Sequence, residues 1–164
     1  MKALTSEVAR DGMLSYQLFG DGLTLNHYNY MVMPYLKKGT LLDLLLKPYL
    51  SNDLKYHLCA QAALAVSALF EAGLCHKDLK PDNIVLLDDN QEHALLGLID
   101  FGFCIDNATF TIDKRGTPCY APPEAFKGKA ELIDPTKFDV FMLGTLMITV
   151  LFRDTPFSFV NKDN

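Results

Sequence analysis

The 164-residue chain has no cluster of basic residues, no cysteines at C-x-x-C spacing and no unbroken apolar stretch of the roughly 20 residues that span a bilayer. Each absence removes a class of function. With 15 Lys and Arg against 20 Asp and Glu, the net charge is −5, so neither nucleic acid nor an anionic lipid surface finds an electrostatic footprint. Cys59, Cys75, Cys104 and Cys119 fit neither a zinc pattern nor a disulfide framework, which implies a reduced, intracellular and cytoplasmic setting. The opening Met-Lys-Ala-Leu-Thr-Ser leads into no apolar signal core. The two most apolar segments, 58–75 and 140–152, read as buried helices, the first because it carries Gln61 and Glu71, the second because it is too short to span. His27, His57 and His93 stand alone and read as surface or core histidines, not metal ligands.

What is present is a 49% hydrophobic chain of a length suited to one domain. From Leu14 to Leu36, aromatic and aliphatic runs are broken by Gly20-Asp21-Gly22, and Asp-Gly between apolar runs predicts two antiparallel strands. A phosphate-binding G-x-G-x-x-G is not completed, since Leu-Thr-Leu follows at 23–25. Thr40 and Asp43 have capping-box spacing and predict a short helix over 41–47, stopped before Pro48. A second helix is predicted from near Ser51, with apolar residues at 58, 62, 65, 66 and 69 on one face and Gly73 at its end. Short strands are predicted at 84–87 and 94–99, around a polar turn at 88–91, so that Asn83 and Asp100 come close together. Residues 103–124 show no sustained periodicity and read as a long loop, and 138–152 as a hydrophobic helix.

The chemistry concentrates in His76-Lys-Asp-Leu-Lys-Pro-Asp-Asn-Ile-Val-Leu86 and Ile99-Asp-Phe-Gly102. Moving a γ-phosphoryl group requires magnesium on the phosphate oxygens, a carboxylate to take the proton of the attacking hydroxyl, and a cation near the transferred group. Asp78 is the candidate base. Lys80, two residues on and on the same side of an extended loop, is the candidate cation, while Asn83 and Asp100 offer hard oxygen ligands for Mg²⁺. Any one of these residues has a bland reading, because a loop Asp usually caps a turn or is solvated. Their order is what carries weight: His76-x-Asp78-x-Lys80-x-x-Asn83, a strand–turn–strand, Asp100-Phe101-Gly102, then Gly116-Thr117 and Pro122-Pro123-Glu124.

In that order the chain resembles the eukaryotic protein kinase family, from the hinge to the large central helix of the C-lobe. The resemblance implies an α+β fold: a mainly helical, kinase-like C-lobe with a β-hairpin remnant of the N-lobe. It implies a partial domain, with 1–33 as N-lobe remnant, 34–39 as hinge and 40–164 as an incomplete C-lobe. ATP and Mg²⁺ would be the cofactors and a protein the substrate. Met33 then resembles the gatekeeper, Pro34, Tyr35 and Leu36 the hinge that holds adenine, and Val85 the residue beneath it. His76 and Phe101 resemble spine members and Asp139 the helix aspartate that anchors the catalytic loop. Lys80-Pro81 and Thr117 in Gly-Thr-Pro-Cys-Tyr are similar to serine/threonine kinases, so Ser or Thr is the implied acceptor.

The chain departs from the family pattern at several points. Lys77 stands where Arg is usual, keeping the charge but losing the bidentate fork that grips a loop phosphate. Pro122 stands where Ala is usual. Thr109 and Thr111 are candidate phosphosites. Upstream of the hinge the only lysine is Lys2, Glu7 is a weak match to the helix-C glutamate, and no glycine-rich loop is found. The helices that would follow, with the arginine partner of Glu124, are also missing from the pattern. The first reading is therefore a protein serine/threonine kinase seen in part. A non-catalytic module that binds nucleotide or a partner through an uncovered apolar face is the alternative, and a small-molecule phosphotransferase of similar fold is a more remote one.

Overall fold

The computed structural model describes residues 17–19, 30–32, 35–88, 94–112, 115–126 and 132–157. Strands β1 (Gln17–Phe19) and β2 (Tyr30–Val32) pair antiparallel with Leu18 opposite Met31, as the Asp-Gly pattern predicts. The turn between them lies outside the described residues, as do Lys2, Glu7, His27, Met33, Pro34 and His93.

Helix α1 (Leu41–Leu45) begins where Thr40 and Asp43 form a reciprocal capping box: the Asp43 N–H donates to Thr40 Oγ1 at 3.3 Å, and the Thr40 N–H to Asp43 Oδ2 at 2.8 Å. It ends two residues before the predicted 47. Helix α2 (Asn52–Glu71) is capped by Ser51, whose Oγ accepts the Leu54 N–H at 3.1 Å. Its predicted face, Leu58, Ala62, Ala65, Val66 and Leu69, is buried. Gly73 leaves the helix at φ +78, a conformation that costs glycine little, and turns the chain toward His76. There β3 (Leu74–Cys75) begins.

Strands β4 (Ile84–Leu86) and β5 (Leu96–Leu98) form the second antiparallel pair, with Val85 opposite Gly97. Both are shorter than predicted. The 103–124 segment, read from the sequence as a long ordered or switchable loop, is tied down by backbone pairing among its described residues. Within it β6 (Ile105–Asp106) pairs with β3, and Thr111 forms a two-bond bridge with Ile133 at 3.1 and 2.7 Å. These contacts join positions 22 or more apart in the chain, so no local periodicity announces them.

Helix α3 (Pro135–Phe152) starts three residues earlier than predicted. Asp134 caps it, accepting the Thr136 and Lys137 N–H groups, and Pro135 occupies the first turn, where its missing N–H costs nothing. The helix has the length and mean hydropathy (1.4) of a membrane span. It nevertheless serves as the core helix here, burying Phe138, Met142, Leu146 and Val150 against α2. Two cross-links at its far end fix it to the other helices. Lys55 Nζ donates to the Leu151 carbonyl at 2.9 Å. Arg153, at φ +60, spreads its guanidinium over the carbonyl oxygens of Leu45, Lys47 and Pro48 behind α1.

Candidate active site

The chain leaves β3 into His76, and from there its backbone is bolted to α3. Asp139, fully buried, accepts the His76 N–H on Oδ2 at 2.5 Å and the Lys77 N–H on Oδ1 at 2.7 Å. Burial raises the Asp139 carboxyl to about 6, against the opposing pull of those two N–H bonds and of Lys77. Lys77 itself takes φ +64 and is fully buried, with its ammonium 4.9 Å from the centre of the Phe138 ring. Its place is thus in the interior, against α3. Gly116 closes over it: a Cβ there would stand 3.0 Å from the Lys77 carbonyl oxygen and 3.3 Å from the Phe138 ring.

His76 bridges the two halves of the site. The Asp78 N–H donates to His76 Nδ1 at 3.3 Å, so the proton sits on Nε2, which donates to the Ile99 carbonyl at 2.9 Å. Burial lowers the His76 pKa, favouring this neutral tautomer, although the bond to Ile99 opposes it. The Phe101 ring lies 5.2 Å from the imidazole.

At the centre, the Asp78 carboxylate is held by four donor groups. Oδ1 accepts the Thr117 N–H at 2.9 Å and the Thr117 hydroxyl at 2.7 Å. Oδ2 accepts Asn83 Nδ2 at 2.9 Å and faces Lys80 Nζ, also at 2.9 Å. Burial alone would raise this carboxyl, but the Thr117 hydroxyl, Lys80 and the Thr117 N–H together hold it below the ordinary carboxylate range. Lys80 Nζ further donates to Thr117 Oγ1 at 2.9 Å, so Asp78, Lys80 and Thr117 form a closed triangle. Position 117 is 39 residues from Asp78, and its sequence motif signals a segment without revealing this pairing.

Asn83 and Asp100 are brought side by side by the β4–β5 pair, through the Ile99 N–H donating to the Asn83 carbonyl at 3.0 Å. The Asn83 amide nitrogen is committed to Asp78, donating to its backbone oxygen as well as its carboxylate. Asp100, exposed and at φ +61, accepts the Gly102 N–H at 3.3 Å. A Cβ on Gly102 would lie 3.1 Å from Asp100 Oδ1 and would press on that carboxylate. The pair supplies hard oxygens of the kind a magnesium ion takes.

The remaining candidates lie around this centre. Val85 is buried next to Thr40 through a backbone bridge, Tyr35 is largely exposed and Leu36 is half-buried. Glu124 is half-buried in a short 3₁₀ turn, Pro123–Phe126. Thr111 is tied by its backbone to Ile133, while the Thr109 side chain is exposed. All four cysteines are free thiols, with burial pushing Cys75 up to about 12 and Cys104 to about 11. Sequence reasoning missed Tyr120, whose N–H donates to the Thr117 carbonyl at 3.0 Å, and Arg153, whose guanidinium reaches the carbonyls behind α1.

This constellation matches a known domain. A model of the protein kinase domain fits residues 15–164. The chain belongs to the protein kinase family. It is 35% identical over 132 residues to the ovarian-specific serine/threonine-protein kinase Lok of Drosophila melanogaster, covering 79% of this chain and 28% of that protein. It is 30% identical over 143 residues to the serine/threonine-protein kinase chk-2 of Caenorhabditis elegans, covering 84% of this chain and 30% of that one. Against the serine/threonine-protein kinase RAD53 of Saccharomyces cerevisiae it is 29% identical over 147 residues, covering 82% and 18%. This kinase chain therefore spans less than a third of the length of these relatives.

Proposed function

We propose that the chain carries the catalytic loop of a protein serine/threonine kinase, transferring phosphoryl from Mg-ATP to a Ser or Thr hydroxyl of a protein. The observation that carries this reading is the Asp78 carboxylate, kept ionised between Thr117, Asn83 and Lys80. Asp78 Oδ2 receives the hydroxyl proton as the oxygen–phosphorus bond forms and the bond to the leaving oxygen breaks. Lys80 is the more solvent-facing partner of the ion pair, and its movement onto the transferred phosphate opens Oδ2 to the acceptor. Asn83 and Asp100 would hold magnesium, which would neutralise charge on the phosphate oxygens. His76, Phe101, Gly102 and Asp139 fix the two loops, and Glu124 belongs to the segment that receives the substrate.

Residues 34–39 form the hinge, and within it Pro34, Tyr35 and Leu36, with Met33 before them and Val85 beneath, are assigned to adenine. On this reading 1–33 is N-lobe remnant and 40–164 an incomplete C-lobe. The four free thiols favour an intracellular, cytoplasmic setting.

The test is incubation of the purified chain with Mg-ATP and a generic Ser/Thr substrate, beside Asp78→Asn. Turnover lost in the variant by about 10²-fold or more supports the assignment. A thermal shift with Mg-ATP but no turnover would instead favour the non-catalytic module.

A further inference from the structure

Lys77 holds a left-handed backbone, φ +64, which a non-glycine residue keeps only where its surroundings fix it. Two successive residues of α3 do the fixing. Asp139 Oδ1 accepts the Lys77 N–H at 2.7 Å, and the Phe138 ring has its centre 4.9 Å from the Lys77 ammonium. The same ring also meets the other side of the site. A Cβ on Gly116 would stand 3.3 Å from Phe138 Cε1 and Cζ and 3.0 Å from the Lys77 carbonyl oxygen, a closeness that suits a residue without a side chain. Lys77 and Gly116 are followed in the chain by Asp78 and Thr117, and the Thr117 N–H and hydroxyl both bond Asp78 Oδ1, at 2.9 and 2.7 Å. One fully buried ring therefore lies against both of the segments that meet at this carboxylate.

We propose that Phe138 is a positioning residue for Asp78: its ring holds Lys77 by the ammonium and seats Gly116, so that the residues after them, Asp78 and Thr117, meet in line. The proposal rests on the reading of Asp78 as the base, but the placement it describes is measurable without turnover. An ammonium beside an aromatic face is attracted by the ring quadrupole, most strongly where water is excluded, as around these two buried side chains. The flatness of the ring matters as well, because it lets the Gly116 backbone approach to contact distance. Leucine at 138 keeps the site apolar but offers neither a face for the cation nor a flat seat for the glycine. Lys77 then loses one of its holds, Gly116 sits less closely on it, and the two Thr117 donors reach Asp78 less well. The N–H bonds of His76 and Lys77 to Asp139 remain, so the change is confined to the contact between 77 and 116.

The experiment is NMR on the full chain. In the parent, the Phe138 ring protons are expected to show nuclear Overhauser contacts to the Gly116 α protons and the Lys77 ε protons; absence of either overturns the proposal, however any variant folds. In Phe138→Leu, the Thr117 amide proton is expected to move upfield as its bond to Asp78 weakens. Its exchange is expected to quicken by roughly fivefold or more beyond any change at Leu58 and Leu69 of α2. The Leu54 amide, bonded to Ser51 Oγ far from the ring, keeps its shift. An unmoved Thr117 amide overturns the proposal, as does exchange that quickens equally at Thr117, Leu58 and Leu69, which marks a loss of global stability only. Where the chain transfers phosphate, Phe138→Leu also lowers kcat by about tenfold or more with little change in the KM for nucleotide. Absence of transfer in the parent counts against the base assignment and leaves the NMR outcome to decide the placement.

Discussion

Replacing Asp139 by asparagine isolates what the buried carboxylate does to stability. In the fold this group is raised from 3.8 to about 6, because the desolvation of its fully buried site outweighs the bonds from His76 and Lys77. A carboxyl that binds its proton more tightly folded than unfolded contributes stability below pH ~4, and that contribution is lost as pH rises through about 6. At about 1.36 kcal/mol per pH unit, the loss is on the order of 3 kcal/mol. The amide of the Asp139→Asn variant cannot ionise, so it lacks this contribution. It offers one oxygen and sets an NH₂ against the other buried N–H, at a pH-independent cost of about 1–3 kcal/mol. The stability of the parent minus that of D139N is therefore expected to fall by about 3 kcal/mol between roughly pH 4 and pH 7. Urea midpoints taken at fixed m across that range measure it. A difference that stays flat, or that grows with pH, would refute the reasoning, since growth means the two N–H bonds outweigh burial.

Three further perturbations probe the framework around the site. Arg153→Ala removes the guanidinium from the carbonyls of Leu45, Lys47 and Pro48 and is expected to cost about 1–3 kcal/mol by denaturant midpoint; Arg153→Lys recovers less than half, because an ammonium cannot span three acceptors. Gly116→Ala forces a Cβ to 3.0 Å from the Lys77 carbonyl at φ +156, and is expected to lower stability by about 1–3 kcal/mol while raising the Asp78 titration midpoint. Ser51→Ala removes the α2 cap and costs about 1 kcal/mol without moving that midpoint, which separates general stability from the geometry of the site.

Local chemistry was legible in the sequence wherever its partner was near in the chain. The Thr40–Asp43 box, the Ser51 cap and the Gly73 exit each draw on residues within about four positions, and each stands where the pattern places it. So does the neighbourhood of Asp78, Lys80 and Asn83, because one loop sets their spacing. The pairing of β3 with β6 was illegible: two residues per strand give no alternation, and about 30 residues separate the partners. The start of α3 was legible in principle, since Asp134-Pro135 is a cap followed by a favoured first residue, but the apolar run from Phe138 masked it. Asp139 was placed by family resemblance, whereas the Arg153 bonds to the carbonyls behind α1 needed the fold to be seen, since more than 100 residues separate the partners.

Three distant elements take their positions from points along α3: the segment after β3 from Asp139, helix α2 from the Leu151 carbonyl, and the α1–α2 connection from Arg153 just past its end. At about 1.5 Å and 100° per residue, these stations have fixed heights and azimuths on a single rod. One residue inserted between 139 and 151 would rotate one group of stations by about 100° and lift it by about 1.5 Å relative to the other. No side-chain adjustment restores both sets of bonds. Conservative exchanges along this helix are therefore absorbed far more easily than any change in its length, and its register works as the common index that keeps the three elements in phase.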